Sequence, residues 1–311
     1  MAMTFLLHAD DIGLSPGITR AIVRAIDEGF VRSVSLIANG TGFDEAIVAL
    51  KARPSVRVTL HLNLLEGEPL SAPGDIPLLV DVEGRLAATY ENLVQMWATG
   101  GAGRRHALRE QMQREFSAQI AHGWAALETA GIAGERLRID SHTHIHTLPF
   151  VLDAVLACPT PRPIGYVRVP REPWHVSPSP EDRAMLLGLN PVKWALTNAL
   201  SRRMAAKLEN RGIAYNRAFV GVLHTGRMTV TAVEAGVRAM LKAEANGGGR
   251  GGSEPVEVLV HPGNADPEEQ GQWRGRPELW AYYNSPHRAL EARTAREIGA
   301  SPVLKAHFES V

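Results

Sequence analysis

The sequence predicts an α/β protein in which parallel strands alternate with helices. Short β-like runs alternate with longer helical patterns, and seven or eight such units fill the 311 residues. Such alternation gives right-handed crossovers and a parallel sheet. This number of units suits an irregular (β/α) barrel, TIM-barrel-like, with seven or eight parallel strands. An open, doubly wound sheet is the alternative, but no G-x-G-x-x-G motif follows a strand, which weakens its dinucleotide-binding version.

Each predicted strand is a short run rich in apolar or β-branched residues. The first, MTFLLHA at 3–9, ends directly before two neighbouring aspartates, Asp10 and Asp11. The further strand candidates lie at 33–40, 56–65, 136–146 (a strand and its exit), 165–170, 216–223, 256–263 and, as an eighth, 302–308.

Helical patterns fill the intervals between these strands. Ser15 suits the N-cap of the first helix and Pro16 its first position, where a missing N–H costs nothing. Pro and Gly predict a loop at 66–89, and the Gly-rich segment 246–253 predicts a flexible surface loop. No long linker interrupts the pattern, so we expect one domain over residues 1–311. The other helical patterns lie at 43–54, 105–130, 191–212, 231–245 and 285–299.

Composition excludes several classes of protein. Lys plus Arg equals Asp plus Glu, 33 each, so there is no basic surplus of the kind that nucleic-acid binders show. A single cysteine, Cys158, excludes a disulfide framework and a multi-cysteine zinc site. No apolar run approaches the ~20 residues of a transmembrane helix, and the N-terminal run is too short for a signal peptide. We therefore expect a cytoplasmic protein without a transmembrane segment.

Reactive side chains gather where predicted strands end. They are Asp10 and Asp11 after the first strand, His61 near the end of the third, Asp140, His142, His144 and His146 at the fourth, and His261 before PGN. Taken singly, each has a structural interpretation, such as a buried core histidine or a helix cap. In a parallel barrel, however, all strand ends share the face that carries active sites. The set therefore indicates a functional site.

These residue types suit metal-dependent hydrolysis of an amide or ester. One Asp and two His from separate strands can hold a divalent ion and leave a position open for water. A second Asp can act as general base, and a protonated His can donate to the leaving group. No G-x-S-x-G nucleophile motif occurs.

Four segments resemble the signature blocks of the YdjC-like carbohydrate deacetylases. They are HADDIGLS, TLHLNLLEGEPL, IDSHTHIHTLP and VLVHPGN, in family order and spacing from residue 4 to about 300. That family includes chitooligosaccharide deacetylases and a hopanoid-biosynthesis-associated branch, which YVRVPREP (166–173) and HTGRMT (224–229) resemble more closely. The resemblance implies an irregular β/α barrel that removes an acetyl group from an N-acetylated sugar, oligosaccharide or glycolipid. A homodimer would be compatible with the family.

The resemblance also implies roles for individual residues. It places one divalent ion on Asp11, His61 and His142, the general base at Asp10 and the general acid at His261. Two histidines favour zinc, while magnesium, manganese or another divalent ion remains open.

Three further residues are candidates for substrate contacts. His144 follows the metal histidine and is expected to lie further from the ion. Arg168 and Arg171 follow a strand and would contact substrate, an acidic partner of the site or a surface carboxylate. His8 departs from the family pattern, which more often has Asn or Thr there. It is expected either to hydrogen-bond Asp10 or extend the metal's surroundings, or to be an inert variation.

Two other functions stay open at this point. One is a metal-dependent amidohydrolase or phosphoesterase on a similar barrel, although such enzymes usually carry His-x-His at the first strand. The other is a non-catalytic glycan-binding protein, against which the intact set of Asp and His argues. In either case we expect no nucleic-acid partner.

Overall fold

Parallel strands form the centre of a computed structural model that describes residues 3–246 and 252–308. The strands are β1 (Phe5–Ile12), β2 (Val31–Leu36), β3 (Arg57–Leu62), β4 (Leu137–Ser141), β5 (Ile164–Val167), β6 (Phe219–Val220) and β7 (Val256–Val260). They form a seven-stranded sheet in the order β5-β4-β3-β2-β1-β7-β6, and every pair is parallel. The predicted barrel-like α/β class is confirmed.

The sheet curls because the segment that leads into the edge strand β6 also pairs with the opposite edge strand, β5. Ala214 forms a parallel bridge with Tyr166 of β5, and Phe219 of β6 pairs with Glu257 of β7. The two outer strands of the sheet are thereby drawn towards each other. The carboxyl ends of the strands consequently face a common space, as in a barrel.

Helices surround this sheet. They are α1 (Pro16–Asp27), α2 (Phe43–Lys51), α3 (Tyr90–Thr99), α4 (Ala102–Ala130), α5 (Pro149–Ala157), α6 (Pro180–Arg183), α7 (Asn190–Glu209), α8 (Val230–Ala245), α9 (Pro277–Tyr283), α10 (Pro286–Glu297) and α11 (Pro302–Phe308). α1 begins as the sequence predicts, because the Ser15 hydroxyl accepts a hydrogen bond from the backbone N–H of Ile18 at 3.4 Å. No helix in the described part of the chain has both the length and the apolarity needed to cross a bilayer.

The long helix α4 shows how the helices pack on the sheet. Leu108, Met112, Phe116 and Ile120 recur at helical spacing and are completely buried. Gly123 continues this face against β3, where an added Cβ would lie 2.8 Å from Leu60 Cδ2. Burial of each large side chain contributes about 1.5–3 kcal/mol, so this face anchors α4 to the strand that carries His61.

Two local predictions were wrong. The segment 302–308 is helix α11, because Ser301 Oγ caps it and Leu304 and Phe308 bury one helical face. The segment after Ser141 is also not extended, because His142–Thr147 form a 3₁₀ turn. His144 and His146 therefore do not continue a strand face with His142. Of the Gly-rich segment predicted as a surface loop, residues 247–251 lie outside the described residues.

Candidate metal centre

The carboxyl ends of β1, β3 and β4 bring together one Asp and two His. Asp11, His61 and His142 are buried, and each offers one ligand atom within 4.8 Å of the others. His61 is the next-to-last residue of β3, and His142 directly follows β4. The three residues that the sequence suggested as metal ligands thus lie in one cluster.

The backbone at Asp11 explains how two neighbouring aspartates both serve this face. Successive side chains of a regular strand point to opposite faces. Asp11, however, has a φ of 77°, and the pairing of β1 with β2 shifts register between Ala9 and Ile12. This left-handed conformation costs about 1–3 kcal/mol for a residue other than glycine, and such strain clusters at functional sites. It turns Asp11 towards His142 while Asp10 stays directed at Arg168.

The ligand atoms of this cluster fit a divalent cation. Arg288 Nη1 donates to Asp11 Oδ2 at 3.0 Å, and His61 Nδ1 donates to Asp140 Oδ1 at 2.7 Å. Asp11 Oδ1 and His61 Nε2 remain buried without a hydrogen bond, 3.8 Å apart. Unsatisfied buried polar atoms are costly, whereas a carboxylate oxygen and imidazole nitrogens are ligands that zinc accepts.

Each histidine of the cluster has a carboxylate behind its ring. Asp140 accepts from His61 Nδ1, and Glu66 Oε1 lies 3.4 Å from His142 Nε2. Tyr283 donates to Glu66 at 2.6 Å and lies 3.2 Å from the same His142 nitrogen. Carboxylate–histidine pairs of this kind orient metal-binding imidazoles. The sequence places Asp140 among the strand-end residues without a role. Glu66 lies in the block TLHLNLLEGEPL but has no predicted role, and no motif points to Tyr283.

Electrostatics keep the acidic groups of the cluster ionised. Burial alone would raise the pKa of Asp11, but His142 and Arg288 outweigh burial and hold that pKa well below its usual value. Burial likewise opposes ionisation of Asp140, yet Arg168 and His61 lower its pKa to about 2. The site therefore offers negative charge to a cation at neutral pH.

Asp10 lies beside this cluster and is held by a buried arginine. Arg168 donates to both Asp10 oxygens, at 2.9 and 2.8 Å. Burial would raise the pKa of Asp10, but Arg168 and His61 keep it well below its usual value. A bidentate pair fixes both the charge and the orientation of the carboxylate. Each carboxylate oxygen has a second lone pair, so Asp10 can still accept a proton.

His8 contacts Asp10 directly. Its Nε2 lies 3.2 Å from Asp10 Oδ1, and its ring nitrogens contact the hydroxyls of Ser33 and Ser35 at 2.9 and 2.7 Å. His8, Asp10 and Asp140 form a second cluster that could hold a metal. Arg168 already compensates Asp10 and Asp140 there, which favours the Asp11 cluster as the metal site.

The three candidates for substrate contacts lie in different places. Arg168 is completely buried among Asp10, Asp140 and Glu257, so it contacts acidic partners of the site. His144 packs edge-on against Phe219, with ring centroids 5.5 Å apart. Arg171 lines a cavity of about 510 Å³ together with Met3, which precedes β1, and so lies near the other end of the sheet. Substrate contact by these residues stays a prediction.

His261 follows β7 and is held by a buried glutamate. Its backbone N–H donates to Glu291 Oε2 at 2.7 Å, and its Nδ1 lies 3.4 Å from the same oxygen. Burial would lower the pKa of His261, but Glu291, with Asp11 and Asp10, raises it overall. Gly263 allows the tight turn that follows, because its φ is 90° and a Cβ there would lie 2.0 Å from Ala21 Cβ.

Asp140→Asn is expected to weaken metal binding about 10–100-fold, the usual cost of losing a carboxylate behind a metal-binding histidine. The neutral amide no longer fixes the His61 tautomer as a carboxylate does. Dissociation constants from titration against a competing chelator measure the effect.

Glu257→Gln is the matched control for this variant. Glu257 contacts the same Arg168, at 2.5 Å, and is not a partner of the His61 ring. An equal loss of affinity in both variants would mean that the arginine cluster, and not the His61–Asp140 pair, supports the metal.

Comparisons with known proteins point to one family. A family model described as "YdjC-like protein" matches residues 4–298. A carbohydrate deacetylase of Brevibacillus brevis is 36% identical over 155 residues, which cover 50% of this chain and 54% of that protein. A carbohydrate deacetylase of Halalkalibacterium halodurans is 31% identical, covering 47% and 55%. A chitooligosaccharide deacetylase of Serratia marcescens is 28% identical, covering 50% and 56%.

The matched region spans about half the length of these curated relatives. A solved structure from Enterococcus faecalis V583, described provisionally as a cellobiose-phosphate cleavage protein, covers the whole chain with a TM-score of 0.62. The match covers 95% of that structure at 19% sequence identity, so it supports the fold alone.

Proposed function

The chain belongs to the YdjC-like protein family, and from this premise we propose that it is a metal-dependent carbohydrate N-deacetylase. It would hydrolyse the amide of an N-acetylated sugar and release acetate. One observation carries this proposal. Asp11 Oδ1 and His61 Nε2 are buried without hydrogen bonds, next to His142 and beside the ionised Asp10.

Asp11, His61 and His142 would hold the cation. Two imidazoles favour zinc, and magnesium or another divalent ion is compatible with the carboxylate and an open position. When bound, a divalent ion polarises the acetyl carbonyl and lowers the pKa of water.

Asp10 and His261 would move the protons of the reaction. Asp10, oriented by Arg168, takes a proton from the attacking water while the water oxygen bonds to the acetyl carbonyl carbon. His261, whose raised pKa favours the protonated ring, donates to the sugar nitrogen as the carbon–nitrogen bond breaks. The products are acetate and an amino sugar.

The relatives named carbohydrate deacetylase and chitooligosaccharide deacetylase support an N-acetylated sugar as substrate. Residues 166–173 and 224–229 resemble the hopanoid-associated branch, so we include lipid-linked amino sugars among the candidates. His144 is a proposed substrate contact, whereas Arg171, near the other end of the sheet, would contact only a part of the substrate remote from the Asp11 cluster. Arg168 would act through Asp10, because its guanidinium is buried against that carboxylate.

The test is acetate release from N-acetylated mono-, oligo- and lipid-linked sugars. The protein is first stripped with a chelator and then supplied with Zn²⁺, Mg²⁺ or Mn²⁺ in turn. We expect acetate and free amine in equal amounts, only after metal is restored. Phosphate release from phosphoesters without acetate release would favour the phosphoesterase alternative. Sugar binding without turnover would favour a glycan-binding protein.

A further inference from the structure

An unusual number of large apolar side chains face solvent where helix α7 begins. Leu187, Leu189, Val192 and Leu196 are 90%, 70%, 64% and 48% exposed. Val192 and Leu196 are four residues apart on α7, so they lie on one face of the helix, and Leu189 precedes Val192 by three. Together these four residues form an apolar face. Grouped apolar exposure of this kind marks an interaction surface.

The apolar face is not a displaced part of the core. The opposite side of α7 is buried through Met204, Ala205 and Leu208, which pack in a cluster with Val167 of β5 and Val169. α7 thus already has an inward face, and the outward residues are additional to it.

Positive charge lies before, within and after the apolar face along the chain. Residues 183–208 contain five Lys or Arg and no Asp or Glu, in a chain whose formal charge is zero. Lys207 pairs with Asp153. In the part of the chain that the structure describes, the other four are exposed and form no ion pair with a carboxylate: Arg183, Lys193, Arg202 and Arg203.

The apolar face lies next to the metal-bearing end of the sheet. The Asn190 amide donates to the carbonyls of Leu223 and Thr225, at 3.1 and 3.3 Å, in the loop after β6. A Cβ on Gly226 in that loop would lie within 4.0 Å of both Met185 and His287. His287 directly precedes Arg288, which binds Asp11.

We propose that the apolar face and the four exposed cations before, within and after it along the chain bind an anionic lipid membrane surface. The leucines and Val192 would enter the headgroup region, and the cations would contact lipid phosphates and carboxylates. A dimer that buries the same apolar face is the alternative occupant, and the mass measurement below distinguishes it from lipid binding. Docking would hold the end of the sheet that carries Asp11 near the lipid surface.

Vesicle sedimentation tests this proposal without any substrate, so its result is independent of the proposed deacetylation. The intact protein is mixed with vesicles of phosphatidylcholine alone or of phosphatidylcholine with phosphatidylserine, whose negative charge attracts basic segments. We expect binding to the anionic vesicles that weakens with salt. Arg202→Gln/Arg203→Gln should lower the partition coefficient about fivefold for each charge removed, and Arg104→Gln, an exposed arginine on α4, should leave it unchanged.

Val192→Asp/Leu196→Asp should abolish vesicle binding. The matched control is Val48→Asp/Val82→Asp, which changes two valines that are 72% and 97% exposed outside this surface. Thermal melting of all variants checks folding. No binding of the wild-type protein to anionic vesicles would overturn the proposal. So would a light-scattering mass showing that Val192→Asp/Leu196→Asp only dissociates a dimer while vesicle binding persists.

Discussion

Asp10→Asn is expected to lower kcat by about 10²–10⁴-fold, the range that one general base supplies, while metal binding is retained. The amide has the same shape as the carboxylate, and its oxygen can still accept from Arg168. It cannot take a proton from water. Acetate release and elemental analysis on the same purified samples separate the two effects.

Asp182→Asn is the control for this prediction. Asp182 is also buried, and it accepts hydrogen bonds from Ser177 and Thr229. It is not a member of the metal-ligand cluster. Removing a buried carboxylate there should leave kcat within a few-fold of the wild type. Full activity of Asp10→Asn, or loss of its metal, would remove Asp10 from the role of base.

The different roles of the two aspartates follow from their arginine partners. Arg168 binds both oxygens of Asp10, so that carboxylate is fixed and its charge is compensated within the protein. Arg288 binds only Oδ2 of Asp11 and leaves Oδ1 without a hydrogen bond. The two carboxylates therefore differ, because only Asp11 keeps an oxygen without a hydrogen bond, 3.1 Å from His142 Nδ1 and 3.8 Å from His61 Nε2.

The strand ends could be predicted from the sequence because apolar and β-branched runs are local features. β1, β3, β4 and β7 end near the residues that the pattern indicated, and parallel pairing then brings those ends together. The register of β3 and β4 even places His61 opposite Asp140. Register depends on the whole sheet, however, so the sequence suggested both residues without showing that they form a pair.

Other parts of the site depend on contacts that no local pattern encodes. The left-handed φ of Asp11 is imposed by the bulged pairing of β1 with β2. Glu66 is held beside His142 by hydrogen bonds from Trp273 and Tyr283, which lie more than 200 positions later. In α11, the Ser301 cap and the spacing of Leu304 and Phe308 outweigh the β-like composition that suggested a strand.

His61→Ala is expected to abolish metal binding. It removes one of three protein ligands, and the remaining Asp11 and His142 no longer provide the set of three that a catalytic site of this class uses. Wild-type protein should retain about one ion per chain after dialysis, and the variant almost none. A second readout needs no activity: metal at about 100 times its Kd should stabilise the wild-type fold by about 2.7 kcal/mol and leave the variant unchanged.

His144→Ala is the matched control, because it removes a nearby imidazole that is not in the cluster. The His144 ring packs against Phe219, and its Nδ1 is buried without a hydrogen bond. Burial, followed by the charge of Arg168, lowers the pKa of His144 well below its usual value, so its ring is neutral like that of a metal ligand. If neutrality and burial were sufficient for metal binding, His144→Ala would lose the ion too. Retention of metal by His144→Ala and its loss from His61→Ala would show that the ion needs His61 itself and not merely a buried, neutral imidazole nearby, and stoichiometric metal in His61→Ala would contradict the assignment.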